Sequence, residues 1–108
     1  MVVSVTPQQA FELISRGDVD IIDVRNPEEW APGYVPGARL VPLADLRANP
    51  GTWLGRDRVL FVCAGGVRSQ TAGRIALAHG LTTVYSVIGG TDSWARAGLP
   101  LEQARVAV

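Results

Sequence analysis

Val59-Leu60-Phe61-Val62-Cys63-Ala64-Gly65-Gly66-Val67-Arg68-Ser69 runs from four apolar residues into the only cysteine of the chain, and on through two glycines to an arginine. Consecutive apolar residues that include β-branched valines suit a strand buried on both faces, as in a parallel sheet covered by helices. Cys63 then falls at the carboxyl end of that strand. In open α/β sheets ligands bind in the crevice beyond such ends.

Gly65 and Gly66 lack Cβ, so the backbone can curl until successive N–H groups face one point, an anion-binding nest around the Cys63 sulfur. Ser69 is a good N-cap for a helix through Ala72, Ile75 and Ala76, whose positive end would face the same loop. Arg68 adds a full charge. A helix N-terminus and a cation both favour thiolate over thiol, so the stretch predicts a nucleophilic sulfur. A lone cysteine is more often a small buried hydrophobe. The glycines, the arginine and the strand-to-helix position outweigh that reading here.

The remaining chain supplies the scaffold. At 108 residues and 47% hydrophobic content, one domain over 1–108 with a real core is expected. Ten acidic residues balance ten basic ones, all arginine, so neither nucleic acid nor an anionic membrane is an expected partner. No apolar run reaches membrane-spanning length, and Met1 to Val5 has no leader pattern. A single cysteine cannot form an internal disulfide, which points to the cytoplasm. One cysteine and one histidine are too few for a zinc cluster, and neither metal nor cofactor is expected.

In chain order, Val2 to Val5 reads as a strand, and Thr6-Pro7 caps a helix that Gly17 ends. Ile21-Ile22-Asp23-Val24 is a strand with a carboxylate in its apolar run, for which an arginine such as Arg25 is the natural partner. Asn26 caps a short helix to Trp30. Arg39 to Val41 is a strand, Leu43 to Ala48 a helix ending near Asn49-Pro50-Gly51. His79 suits a helix C-terminus before Gly80. Val84 to Ile88 is the last strand, the Gly89-Gly90 doublet follows at the Cys63 end, and Thr91 to Ala97 is a helix with Trp94 in the core. Residues 101–108 read as a frayed tail. Strands alternating with helices predict an α/β fold with a parallel, doubly wound sheet.

These residues resemble a rhodanese domain, the thiosulfate sulfurtransferase family. Ile22-Asp23-Val24-Arg25, Glu28-Glu29-Trp30 and Gly33-Tyr34-Val35-Pro36-Gly37-Ala38 resemble its amino-terminal signature, and Cys63 to Ser69 its active-site loop. Gly89-Gly90, Trp94 and Gly98-Leu99-Pro100 resemble its carboxyl-terminal signature. The resemblance implies a five-stranded, mainly parallel sheet with helices on both faces. It implies a ping-pong reaction in which catalytic Cys63 takes a sulfane sulfur as a persulfide and passes it to cyanide or a thiol. Ala64, Gly65, Gly66, Val67, Arg68 and Ser69 would bind substrate, while Asp23, Arg25 and Glu29 form a structural ion-pair set. The implied partners are a small-molecule sulfur donor and acceptor, with a protein acceptor as an alternative for a carrier in a thiolation pathway. Tyr34 departs from the family's usual histidine and is read as a packing change. A rival with this fold, a cysteine phosphatase or arsenate reductase, uses Cys-x5-Arg; here four residues separate Cys63 from Arg68.

Overall fold

The computed structural model describes residues 1–104. Five strands form one sheet: β1 (Val3–Val5), β2 (Asp20–Asp23), β3 (Arg39–Leu40), β4 (Val59–Val62) and β5 (Val84–Val87). All pairings between them are parallel, in the order β1-β5-β4-β2-β3. β4 is central and paired on both sides, which explains why all four of its residues are apolar and buried.

Six helices accompany the strands: α1 (Pro7–Ser15), α2 (Pro27–Trp30), α3 (Leu43–Ala48), α4 (Pro50–Trp53), α5 (Val67–Ala78) and α6 (Gly90–Arg96). The two-residue period of β4 divides the core. Leu60 and Val62 pack with Ala10 of α1 and Trp94 of α6, whereas Val59, Phe61 and Cys63 pack with Leu46 of α3 and Ala72 and Ala76 of α5. Helices therefore cover both faces. The same alternation puts the Cys63 side chain on the face that α5 covers.

α5 lies close because its inward side is small: Ser69, Ala72, Gly73 and Ala76 are buried. A Cβ at Gly73 would come within 2.6 Å of Val2. α1 starts as the sequence predicts, with Thr6 and Gln9 exchanging hydrogen bonds in a capping box. Trp94 is buried as expected, and its indole N–H donates to the Pro100 carbonyl at 2.8 Å.

α3 spans Leu43–Ala48 as expected, one further helix follows it, and two expectations are corrected. Asn49-Pro50-Gly51 ends α3 and also starts α4, because the fixed φ of Pro50 suits a first helical turn and Gly51 leaves room for the His79 ring 3.5 Å from where a Cβ would lie. α5 begins at Val67 with Gly66 as its cap, so Ser69 is inside the first turn and is not the N-cap. The tail is anchored where it is described: Tyr34 and Glu102 exchange backbone hydrogen bonds at 2.8 and 2.9 Å, and Ala104 N–H donates to the Ala31 carbonyl at 3.1 Å. Residues 105–108 lie outside the described part. No helix among the described residues is long and apolar enough to cross a membrane.

The turn into β5 depends on one carboxylate. Asp57 accepts the backbone N–H groups of Arg58, Thr82 and Thr83 and the Thr82 hydroxyl, which hold it down to about 2. A folded-state value below the unfolded one means that this contribution is complete above about pH 4 and lost as pH falls through about 2. Hydrogen-exchange protection of the Thr82 and Thr83 amides is expected to fall across that window, and Asp57→Ala to lack it at every pH. Pressing pH through the window without changing protection would refute the assignment.

Candidate active site

β4 delivers Cys63 to the carboxyl edge of the sheet, and the chain then has three residues, Ala64 to Gly66, in which to turn into α5. Gly66 makes the turn with φ of +100°, a region closed to most side chains. It also touches the next strand's exit: a Cβ there would lie 3.1 Å from the Gly89 nitrogen. Of the two loop glycines, only Gly66 uses a positive φ.

The turn aims donors at the sulfur. Gly66 N–H donates to Cys63 Sγ at 3.1 Å and Ser69 N–H at 3.3 Å, while the thiol lies 3.5 Å from Ser69 Oγ. Ser69 Oγ in turn shares a 2.7 Å hydrogen bond with Ser86 Oγ on β5. Both serines and Cys63 are at most 1% exposed. The amides of Ala64, Gly65, Val67 and Arg68 have no hydrogen-bonded acceptor among the described residues.

The carbonyls of the turn are held from the opposite side. Thr91 N–H donates to the Cys63 carbonyl at 2.8 Å and Asp92 N–H to the Ala64 carbonyl at 3.1 Å, so the first amides of α6 clamp the loop. The approach demands glycine. Gly90 sits at φ +57°, and a Cβ there would collide with both carbonyl oxygens. The Gly89-Gly90 doublet thus holds the loop from behind.

Arg68 does not point its charge freely at the sulfur. Its guanidinium makes a bidentate pair with the Glu29 carboxylate at 2.6 and 2.7 Å. Glu29 Oε1 also accepts the Asn26 N–H at 3.0 Å, and these contacts, Arg68 first, hold its carboxyl down to about 2. The grouping of Asp23, Arg25 and Glu29 is correspondingly revised. Arg25 bonds the buried Asp23 carboxylate through Nε and Nη2 at 2.8 to 3.0 Å, but it reaches only the backbone of Glu29, whose carbonyl accepts from Nη1 at 3.0 Å. Its Nη2 also donates to the Gly33 carbonyl at 2.8 Å. The segment that carries α2 is thereby tied to β2. Tyr34 stacks flat on Trp30 in this segment, with ring centroids 3.9 Å apart.

Ser86 was not singled out from the sequence, since one serine in an apolar strand carries no local signal of a partner seventeen residues away. His79, at the far end of α5, is not part of the cluster.

The rhodanese-like domain family model matches residues 6–97. The chain belongs to this family. It is 37% identical over 102 residues to the thiosulfate sulfurtransferase GlpE of Ectopseudomonas mendocina, covering 94% of this chain and 91% of that one. Among solved structures, it is similar to a rhodanese-related protein from Thermoplasma volcanium, with a TM-score of 0.83, 30% identity, and 94% and 99% of the two chains covered. A Rhodopseudomonas palustris protein of unknown function, described as a possible tyrosine phosphatase, also matches at a TM-score of 0.78 and 30% identity, over 94% and 85%.

Two predictions test the geometry. Ser69→Ala keeps the amide and removes the hydroxyl, so sulfur transfer is expected to slow by about tenfold, the loss of one hydrogen bond to a charged group, and Ser86→Ala by less. Equal rates for all three proteins would refute a role for the hydroxyls. Gly90→Ala combines a collision with left-handed strain and is expected to destabilise by about 3 kcal/mol or more. Gly98→Ala, at φ +74° with open space around it, is expected to lose only about 1 kcal/mol. Denaturant midpoints measure the difference.

Proposed function

We propose that this chain is a sulfurtransferase that carries a sulfane sulfur on Cys63 as a persulfide. The observation that carries the reading is the sulfur of Cys63 held by two backbone N–H groups in a turn whose other amides are unpaired. With thiosulfate, the Cys63 thiolate attacks the outer sulfur; the S–S bond of the donor breaks and sulfite leaves with its electron pair. The product is Cys63–S–S⁻. A cyanide or thiolate acceptor then attacks the outer sulfur, and the Cys63 thiolate leaves with the electrons of the S–S bond, giving thiocyanate or an acceptor persulfide. No proton or external redox partner is required.

The protein's part is electrostatic. Donors fixed before the reaction stabilise charge without reorganising, and the α5 N-terminus adds its dipole to the loop amides. Sulfur chemistry also suits the burial of Cys63, since an outer sulfur adds a single atom about 2 Å beyond Sγ. The guanidinium that serves phosphatases is here paired with Glu29. Exposed Val67 and Ile88 flank the loop and leave room for a protein acceptor as well as a small one. The lone free cysteine supports a reducing, cytoplasmic setting for such a thiol.

Treating the protein with thiosulfate is expected to raise its intact mass by one sulfur atom, reversed by a dithiol, with no change in Cys63→Ala. Thiocyanate formation with cyanide should disappear in Cys63→Ser. Hydrolysis of an aryl phosphate should remain at background. Robust hydrolysis without a sulfur adduct would replace this reading by the phosphatase one.

A further inference from the structure

Three segments border the Cys63 loop: β2 with α2, the loop itself with the start of α5, and the start of α6. Their cations are Arg25 and Arg68, and their anions Asp23, Glu28, Glu29 and Asp92, besides Asp20 at the other end of β2, which pairs with Arg39. Asp23 and Arg25 cancel each other in a buried pair. Arg68 is the cation of the loop itself, within electrostatic range of the Cys63 sulfur, and its pKa is raised chiefly by the Glu29 carboxylate. That carboxylate is fixed independently of the loop, because its Oε1 accepts the Asn26 amide and its own backbone carbonyl is held by Arg25. Arg68 can therefore still offer its Nε–H to a bound anion, but its charge is offset by a carboxylate that does not follow it. The border keeps an excess of negative charge.

We propose that Glu29 is a specificity-determining residue that, by holding Arg68, biases the site against sulfur donors with two negative charges and toward donors with one. The inference rests on the persulfide reading above and names the donor class that the site prefers. A thiosulfonate, R–SO₂–S⁻, is the closest singly charged counterpart of thiosulfate. The Cys63 thiolate attacks its outer sulfur, the S–S bond breaks, and a sulfinate leaves with the electron pair in place of sulfite. The two donors thus share the reacting bond and differ by one charge at the leaving group.

The test is the ratio of kcat/KM for thiosulfate to kcat/KM for methanethiosulfonate at low ionic strength. Taking it as a ratio cancels general effects on the nucleophile. In Glu29→Gln, which retains an acceptor for the Asn26 amide, the ratio is expected to rise about tenfold and to return toward the wild-type value as salt is added. In Arg68→Gln, where Glu29 faces the donor unpaired, it is expected to fall several-fold. The double variant, lacking both charges, is expected to lie within about threefold of wild type. A ratio that stays constant in both single variants while the individual rates drop together would mean that the pair is only a strut, and would overturn the proposal. So would a rise in the double variant as large as in Glu29→Gln. Should Glu29→Gln not fold, Glu29→Asp, which keeps the charge but draws it back from Arg68 by one methylene, is expected to raise the ratio, and an unchanged ratio in that variant would overturn the proposal. Intact mass after methanethiosulfonate reports on the underlying reading separately: if no sulfur is added to Cys63 by either donor, the persulfide reading fails, whereas sulfur added by both donors with an invariant ratio rejects the role of Glu29 alone.

Discussion

Two carbonyl oxygens govern the site. For the turn after β4 to present its amides to one sulfur, the carbonyls of Cys63 and Ala64 must face elsewhere, and a buried carbonyl without a donor is expensive. The amides of Thr91 and Asp92 supply the donors. An α-helix begins with N–H groups that have no partner within it, so the start of α6 and the back of the loop satisfy each other's unpaired groups. The approach this requires is so close that only glycine fits at position 90. The turn that holds Cys63, in the middle of the chain, consequently depends on an element formed near its end.

A second chain of support runs along the opposite rim. Asp23 is fully buried, Arg25 nearly so, and the guanidinium spends its remaining donors on the Glu29 and Gly33 carbonyls. Buried ion pairs of this kind contribute little net stability, because desolvation consumes most of the attraction, yet removing one partner alone costs about 3–5 kcal/mol. The arrangement is better understood as a positional device. A four-residue helix such as α2 has too few internal hydrogen bonds to persist by itself. Anchored by Arg25 beneath and by the Trp30–Tyr34 stack, it holds a carboxylate at the position where Arg68 meets it.

The sheet was legible from the sequence because its cause is local. Runs such as Val59 to Val62 are apolar at every position, and that pattern already implies a central parallel strand; the cysteine beyond it is placed by strand direction alone. The parts that were not legible depend on partners remote in sequence. Ser69 has the chemistry of an N-cap, but the positive φ of Gly66 starts α5 two residues before it, and a serine in the first turn can then offer both amide and hydroxyl to Cys63. Arg68 appeared to be a charge for the sulfur because its partner Glu29 is thirty-nine residues away. The backbone pairing of Glu102 with Tyr34 has no side-chain signature at all, and the tail consequently read as frayed.

Burial and charge at Cys63 are in tension, and the loop resolves it. A thiolate removed from water loses hydration, which in an apolar pocket would favour the neutral thiol. Here the water is replaced by dipoles set in the backbone: Gly66 caps α5, and Ser69 lies in its first turn. Such fixed donors accommodate a charge without the reorganisation that solvent undergoes. They also fix where the charge is tolerated. In the proposed persulfide the negative charge would lie one atom further out, away from the Gly66 and Ser69 amides and toward the part of the loop where Gly65 and Val67 are exposed and their amides unpaired. The two inner donors then face the Cys63 sulfur and the outer ones the added sulfur. A loop that favoured only one of these states would trap the sulfur or never accept it, so under the proposed function the division of the amides between two positions is what would let a sulfur be both taken and released.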